Sequence, residues 1–130
     1  MSAFGDLASV APYVVWDGVV ARAVEGERTT FTVIELAPNT VIPEHAHENE
    51  QTGVLVSGSL SFRIGNEERD LAVGGTWCIP SNVPHAVSAG TDGAVVVEVF
   101  APGRADWGAL ERLEPSPPAW PGAPVPFAQM

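Results

Sequence analysis

Short apolar runs separated by turn residues recur along the chain, and the first of them lie at residues 13–16, 19–24 and 29–36. These runs are rich in valine, isoleucine, threonine and aromatic residues, which favour strands. Apolar and polar side chains alternate strictly over residues 59–64, which predicts a strand with one buried face. Because the pattern continues to the run at 95–100 without helical periodicity, it predicts an all-β barrel or sandwich.

The same pattern divides the chain into three parts. Residues 1–12 are small and mixed in character, and we interpret them as an N-terminal arm. Residues 13–107 form one predicted domain, and a single helical turn is expected at 107–113. Residues 108–130 form a proline-rich C-terminal tail, which is typical of extended backbone. The aromatic residues Trp120 and Phe127 indicate that this tail packs on the barrel or on a second subunit.

Two of the three histidines in the chain are separated by a single alanine. Residues two apart on a strand point to the same face, so His45 and His47 would direct their imidazoles toward one point. Gln51 follows a short polar turn and can bring a carbonyl oxygen to the same point. The sequence therefore predicts a metal site, although two histidines in a polar surface turn would show the same spacing.

The third histidine, His85, follows a turn that contains Pro80 and Pro84 and opens the next apolar run. Gly74 precedes this turn and begins the short strand that leads into it. Every histidine of the chain therefore belongs to one of two strand-turn-strand units, which favours a shared function for the three side chains.

The two units resemble the two sequence motifs of the cupin family. The residues that match them are His45, His47, Gln51 and Gly58 in the first motif, and Gly74, Pro80, Asn82 and His85 in the second. Gln51 stands where glutamate is usual, and Asn82 stands where glycine is usual. Asparagine is the residue that best replaces glycine in a left-handed turn. The resemblance implies a cupin double-stranded β-helix, which is an all-β jelly-roll barrel in a single domain.

The resemblance also implies one divalent metal ion held by His45, His47, Gln51 and His85. Three neutral imidazoles and a neutral amide leave the ion its full charge, which makes it a stronger Lewis acid and a better host for an anionic substrate. Nickel, iron, manganese and zinc all fit this ligand set. Cys78 is expected to be a small buried apolar residue and not a ligand.

A carboxylate within the apolar run 95–100 is costly to bury unless it is paired or used. Glu98 is that carboxylate, and Arg104 can fold back on it after the Pro102-Gly103 turn. One interpretation is an ion pair at an active site. The other is a structural ion pair on the outer face of the barrel.

The last predicted strand ends in the motif Phe-x-Pro-x-Arg-x-Asp-aromatic at residues 100–107, and this motif together with Gln51 resembles small cupins of the pectin-degradation type. These are similar to enzymes that open the ring of 4,5-unsaturated uronates to a linear keto sugar acid. The resemblance implies that Glu98 and Arg104 are catalytic, with glutamate here where aspartate is usual. Two alternatives stay open, namely a metal-dependent dioxygenase of an enolic or flavonol-like molecule and a non-catalytic ligand-binding cupin.

Charge limits the partners of the protein. Sixteen acidic residues against six arginines and no lysine give a net charge of −10, which disfavours nucleic acid and anionic membranes. The single cysteine cannot form an internal disulfide, and no apolar leader or long apolar span is present, so we expect a cytoplasmic protein. The strand predicted at 13–16 would leave an edge unpaired, which predicts a homodimer unless the tail covers that edge.

Overall fold

The structure is a computed structural model that describes residues 2–122. Eight strands form one continuous antiparallel sheet, and the predicted all-β fold is confirmed. The strands are β1 (Tyr13–Trp16), β2 (Val19–Glu25), β3 (Thr30–Leu36), β4 (Val41–His45), β5 (Glu50–Ile64), β6 (Glu67–Leu71), β7 (Thr76–Ile79) and β8 (His85–Ala101). Two short 3₁₀ helices, Leu7–Ser9 and Ala105–Ala109, flank the strands, and the second begins two residues before the predicted helical turn.

The longest strands, β5 and β8, pair with each other along nearly their whole length and bend together. The register of this pair shifts between Leu55 and Ser57 and again between Gly58 and Leu60, which marks the bend. Gly58 has a φ of 80°, and a Cβ at this position would lie 2.0 Å from the carbonyl oxygen of Gly93. Only glycine fits such a close approach. The bend curls the sheet, because β8 pairs with β4 before it and with β3 after it.

The barrel interior is largely apolar, with Leu55 and Ile79 fully buried at its centre. Three polar side chains are buried with them, since Gln51, His85 and Glu98 are only 7%, 2% and 5% exposed. Burying a polar group is unfavourable unless it finds a partner or serves a function. These three residues therefore indicate a candidate functional site in the barrel interior.

The edge of β1 is paired, contrary to the premise on which a homodimer was expected. The backbone N–H of Val14 donates to the carbonyl of Glu111 (2.9 Å), and the N–H of Leu113 donates to the carbonyl of Pro12 (2.8 Å). The guanidinium of Arg112 lies over the Tyr13 ring, 4.1 Å from its centroid. The chain after the second 3₁₀ helix therefore covers this edge, and the homodimer stays a prediction without that argument.

Residues 116–119 cross the outer face of β2 and β3. Buried Arg22 pairs with Glu35 (2.6 Å) and donates to the hydroxyl of Ser116 (2.9 Å). The predicted tail, 108–130, is described as far as residue 122, so Phe127 lies outside the described residues. None of the helices within residues 2–122 is long and apolar enough to span a membrane.

Candidate metal centre and active site

The three histidines converge, although His45 and His47 do not share a strand as predicted. β4 ends at His45, which lies opposite His85, the first residue of β8. His47 lies in the loop that follows, because its carbonyl accepts a hydrogen bond from the backbone N–H of Asn82 (2.8 Å) and not from a neighbouring strand. The ligand atoms of the three imidazoles nevertheless lie within 4.8 Å of one another, which is close enough for one metal ion.

Each imidazole is oriented by a backbone carbonyl two residues away. The pairs are His45 Nδ1 with Pro43 O (2.8 Å), His47 Nδ1 with Asn49 O (2.9 Å) and His85 Nδ1 with Val83 O (2.9 Å). In the neutral ring, a proton on Nδ1 that is donated to the carbonyl leaves the lone pair on Nε2. Such outer contacts typically fix the tautomer of a metal-binding histidine.

Two of the three Nε2 atoms lack the hydrogen-bond donors that a metal-free site would need. Nε2 of His85 is buried and has no hydrogen-bond partner among the described residues. Nε2 of His47 lies 3.1 Å from Oε1 of Gln51, so two atoms that carry lone pairs face each other. A cation between them would turn this repulsion into shared coordination.

Protonation does not remove this mismatch at neutral pH. Burial lowers the pKa of His85 to about 4, and burial followed by the positive charge of Arg104 lowers the pKa of His47. Neutral imidazoles are the form that binds divalent metals. Three imidazole nitrogens and an amide oxygen therefore fit one divalent ion, and this donor set leaves the choice of metal open.

Glu98 lies inside the barrel and not on its outer face, so the structural ion pair suggested above is wrong. Its Oε2 atom accepts hydrogen bonds from Nε2 of Gln51 and from Nε1 of Trp77, the latter at 2.7 Å. Burial raises the pKa of Glu98, and the two hydrogen bonds oppose this effect. Among residues 2–122, Glu98 and Arg104 form no salt bridge.

Arg104 instead pairs with a carboxylate two residues further along the chain. Its Nε and Nη2 atoms donate to Oδ1 and Oδ2 of Asp106 at 3.1 and 3.0 Å. Its guanidinium carbon lies 4.8 Å from the ring centroid of Phe100 and 4.9 Å from that of Trp107. The backbone N–H of Arg104 donates to the Thr30 hydroxyl (2.9 Å), so both backbone and side chain are fixed.

One cavity of about 250 Å³ contains all of the predicted site residues. Its polar wall consists of His45, His47, Gln51, His85, Glu98, Arg104 and Asp106. Its apolar wall includes Trp16, Phe62, Phe100 and Trp107. Cavities that bind drug-sized ligands are roughly 300–1,000 Å³, so this one suits a small molecule with a few polar groups.

Sequence reasoning did not assign a role to Trp77 or Asp106. Asp106 lies two residues from Arg104 in the motif at residues 100–107, and this spacing is a usable signal for a local ion pair. Trp77 reaches Glu98 across an intervening strand, and this contact depends on a strand register that one sequence does not reveal. Cys78 was expected to be buried but is exposed, because alternation along β7 turns Trp77 and Ile79 inward.

Comparison with known proteins places this geometry in context. A family model described as a cupin domain matches residues 32–101. The chain is 33% identical over 84 residues to H2HPP isomerase of Bacillus subtilis. The matched region covers 62% of this chain but only 35% of that relative, so the chain spans about a third of its length. It is 28% identical over 93 residues to the pectin degradation protein KdgF of Dickeya dadantii (strain 3937), with 70% of this chain and 84% of that protein covered.

Solved structures agree with the family match. An RmlC-like cupin from Shewanella frigidimarina NCIMB 400 superposes with a TM-score of 0.75 at 18% identity, covering 82% of this chain and 96% of that one. KdgF from Halomonas sp. superposes with a TM-score of 0.73 at 22% identity, covering 82% of this chain and 98% of that one. At these identities the likeness shows the fold, which is the predicted jelly-roll barrel.

Proposed function

The chain belongs to the cupin domain family, and on this premise we propose that it is a metal-dependent isomerase that opens the ring of a small 4,5-unsaturated uronate. The observation that carries the proposal is a single cavity with a metal-binding set of side chains, a buried carboxyl group and a guanidinium. Similarity to the pectin degradation protein KdgF supports the substrate class. The name of the other relative, an isomerase, supports the reaction class.

The reaction rearranges one molecule without an oxidant or a second substrate. The anomeric hydroxyl loses its proton and becomes the C1 carbonyl, while the bond between C1 and the ring oxygen breaks. The electron pair of that bond stays on the ring oxygen, which remains attached to C5 as an enolate. Protonation of C4 then converts the C4=C5 enolate into a ketone at C5. One proton leaves an oxygen and one arrives at a carbon, so a single acid-base group can serve both steps.

Glu98 is proposed as that acid-base group. Its Oε2 atom is occupied by two hydrogen-bond donors, and its Oε1 atom accepts none from residues 2–122. Oε1 is also accessible where Glu98 lines the cavity, so it can meet a substrate proton. Burial raises the pKa of Glu98 toward the range in which a carboxyl group can both accept and return a proton.

Arg104 is proposed to bind the substrate carboxylate. Asp106 uses the Nε and Nη2 edge of the guanidinium, which leaves Nη1 accessible and without a hydrogen bond from residues 2–122. Stacking on Phe100 and Trp107 holds the guanidinium plane at the cavity wall. A fixed guanidinium suits a planar carboxylate better than a flexible ammonium would.

The metal would be held by His45, His47, Gln51 and His85. A bound divalent ion supplies positive charge that stabilises the negative charge developing on a substrate oxygen. Gln51 contributes a neutral oxygen, and the nearby negative charge is carried by Glu98, to which the Gln51 amide donates. This arrangement keeps a carboxylate available for proton transfer beside the ligand set.

The test is turnover of a 4,5-unsaturated monouronate by the metal-loaded protein. Ring opening removes the double bond conjugated with the carboxylate, so ultraviolet absorbance should fall and a keto sugar acid should appear by NMR. Glu98→Gln should lower kcat by roughly a hundredfold with little change in KM, which is the size expected for the loss of an acid-base group. A saturated uronate is the matched control substrate.

Two other outcomes would refute the proposal. Oxygen consumption with an enolic substrate, in place of uronate turnover, would identify a dioxygenase. Saturable binding of the uronate by isothermal titration calorimetry, without conversion, would identify a ligand-binding cupin.

A further inference from the structure

We propose that Trp77 is a positioning residue which, with Gln51, holds the Oε2 atom of Glu98 and so makes Oε1 the atom that moves the proton. The inference rests on the proposed function of Glu98. Trp77 donates no hydrogen bond to the three histidines, and none to Arg104, which is proposed to bind the substrate carboxylate.

Glu98, Gly53 and Trp77 lie side by side on three adjacent strands. Gly53 in β5 is opposite Glu98 in β8 on one side and opposite Trp77 in β7 on the other. The indole of Trp77 passes over Gly53 and donates to Oε2 of Glu98 at 2.7 Å. This contact bridges two strands that are not neighbours in the sheet.

Gly53 provides the room for that contact. A Cβ at this position would lie 2.6 Å from Nε1 of Trp77 and 2.7 Å from two of its ring carbons. These atoms belong to a rigid ring that is 7% exposed and packed against Phe62, with ring centroids 5.1 Å apart. The indole therefore cannot move away cheaply, and a side chain at position 53 would displace the donor from Glu98.

The two donors to Glu98 approach the same oxygen. Gln51 supplies one through its amide nitrogen, and Trp77 supplies the other through its indole nitrogen. A carboxylate with both donors on Oε2 presents Oε1 to the cavity in a fixed direction. Without Trp77, the carboxyl group would be held by Gln51 alone and could rotate, so the reacting oxygen would be less well placed.

The kinetic test compares Trp77→Phe with Trp120→Phe in the metal-loaded protein. Trp77→Phe keeps an aromatic ring but removes the N–H donor together with part of the buried indole, so Gly53→Ala, which leaves the indole intact, is tested beside it. We expect kcat on the unsaturated uronate to fall by about tenfold or more, the loss that corresponds to one hydrogen bond to a charged group, while KM and metal content stay unchanged. Trp120→Phe makes the same chemical change away from the cavity and should leave all three values unchanged.

Gly53→Ala provides a second variant that does not alter the indole. It should reproduce the fall in kcat, because its new methyl group displaces Nε1 of Trp77. Thermal unfolding of each variant identifies a loss of kcat that comes only from misfolding. Equal kcat for the parent and a folded Trp77→Phe variant would overturn the positioning role, whereas no turnover by the parent protein would refute the proposed function and with it this inference.

A spectroscopic readout tests the contact independently of turnover. The zinc-loaded protein, labelled with ¹⁵N, should give an indole N–H signal for Trp77 shifted downfield by its bond to a carboxylate. Glu98→Gln should move this signal more than the other indole signals. The Trp77 signal is assigned as the one that disappears in Trp77→Phe. If that variant does not fold, variants of the other tryptophans assign the remaining signals and identify Trp77 by elimination. If the chemical shift of the Trp77 indole N–H is the same in Glu98→Gln as in the parent, the proposal is overturned.

Discussion

Replacing Gln51 by glutamate tests how the candidate metal ligands are linked to the buried carboxyl group of Glu98. Nε2 of Gln51 donates to Oε2 of Glu98, while Oε1 of Gln51 faces His47. In Gln51→Glu, the donor becomes an oxygen that carries negative charge, so two carboxylates meet in the barrel interior. Like-charged carboxylates in contact share a proton, which raises the pKa of one of them strongly.

The expected loss of stability can be estimated from the free energy needed to protonate one of the two glutamates at pH 7. At an effective dielectric of about 20, two charges about 3 Å apart repel by roughly 5 kcal/mol. Protonating a glutamate of ordinary pKa at pH 7 costs about 3.7 kcal/mol, so the protein takes up a proton instead. The metal-free variant should therefore lose up to about 4 kcal/mol of unfolding free energy at pH 7, against typical totals of about 5–15 kcal/mol.

The free energy of unfolding of the metal-free protein should decrease as the pH rises. Burial already raises the pKa of Glu98 in the parent, so the metal-free folded state binds more protons than the unfolded state. This contribution is fully present below the unfolded pKa of about 4.3 and is lost as pH rises through the folded pKa. Gln51→Glu raises that pKa further. Its stability should therefore fall more steeply than that of the parent as the pH rises above the unfolded pKa of about 4.3.

Urea denaturation of the chelator-treated proteins measures this slope, and an exchanged pair provides the control. The double variant Gln51→Glu with Glu98→Gln has the same net charge as the parent and reverses donor and acceptor. It should regain most of the stability and keep its metal, yet it should not turn over substrate because position 98 no longer has a carboxyl group. Equal pH slopes for the parent and Gln51→Glu would refute the contact between the two side chains.

Three further predictions concern the metal, the substrate anion and assembly. His47→Ala should remove most of the bound metal, which we expect at about one ion per chain by elemental analysis of protein purified without chelator, and equal metal content would exclude His47 as a ligand. Arg104→Lys should raise KM by about tenfold or more with a smaller change in kcat, because the planar fork is lost while the charge stays; an unchanged KM in steady-state kinetics would remove Arg104 from substrate binding. Light scattering at micromolar concentration should give the mass of a homodimer that uses a surface other than the β1 edge, which residues 111–113 cover, and a monomer mass would refute that prediction.

The sequence was sufficient for most of the strands because their signals are local. Alternation and β-branched residues predicted strands at 13–16 and 29–36, and the structure has Tyr13–Trp16 and Thr30–Leu36. Asn82 was expected to replace glycine in a left-handed turn, and its φ of 64° confirms this. The strand predicted at 59–64, however, is the last part of a longer one, because β5 begins at Glu50 and continues through the bend at Gly58 to Ile64.

The contacts of the candidate site were harder to predict because they depend on which strands become neighbours. All three histidines were expected to converge, since the two motifs contain them all. The partner of Arg104 was predicted wrongly, because Asp106 is only two residues away and its carboxylate accepts two hydrogen bonds from the guanidinium. The covering of the β1 edge by residues 111–113 joins segments about a hundred residues apart, which no local pattern indicates.

The departure from the usual first cupin motif at Gln51 and the buried carboxyl group of Glu98 are best understood as one feature. A glutamate at position 51 would direct a negative oxygen at Oε2 of Glu98, and one of the two would have to be neutralised. An amide avoids this conflict, since it offers an oxygen toward His47 and an N–H group toward Glu98. An amide at position 51 therefore permits the Glu98 carboxyl group to lie beside the three histidines, with its Oε1 atom accepting no hydrogen bond from residues 2–122. On this reasoning, a cupin that keeps glutamate at this position should not also carry a buried carboxylate opposite it, unless a further cation or proton lies between them.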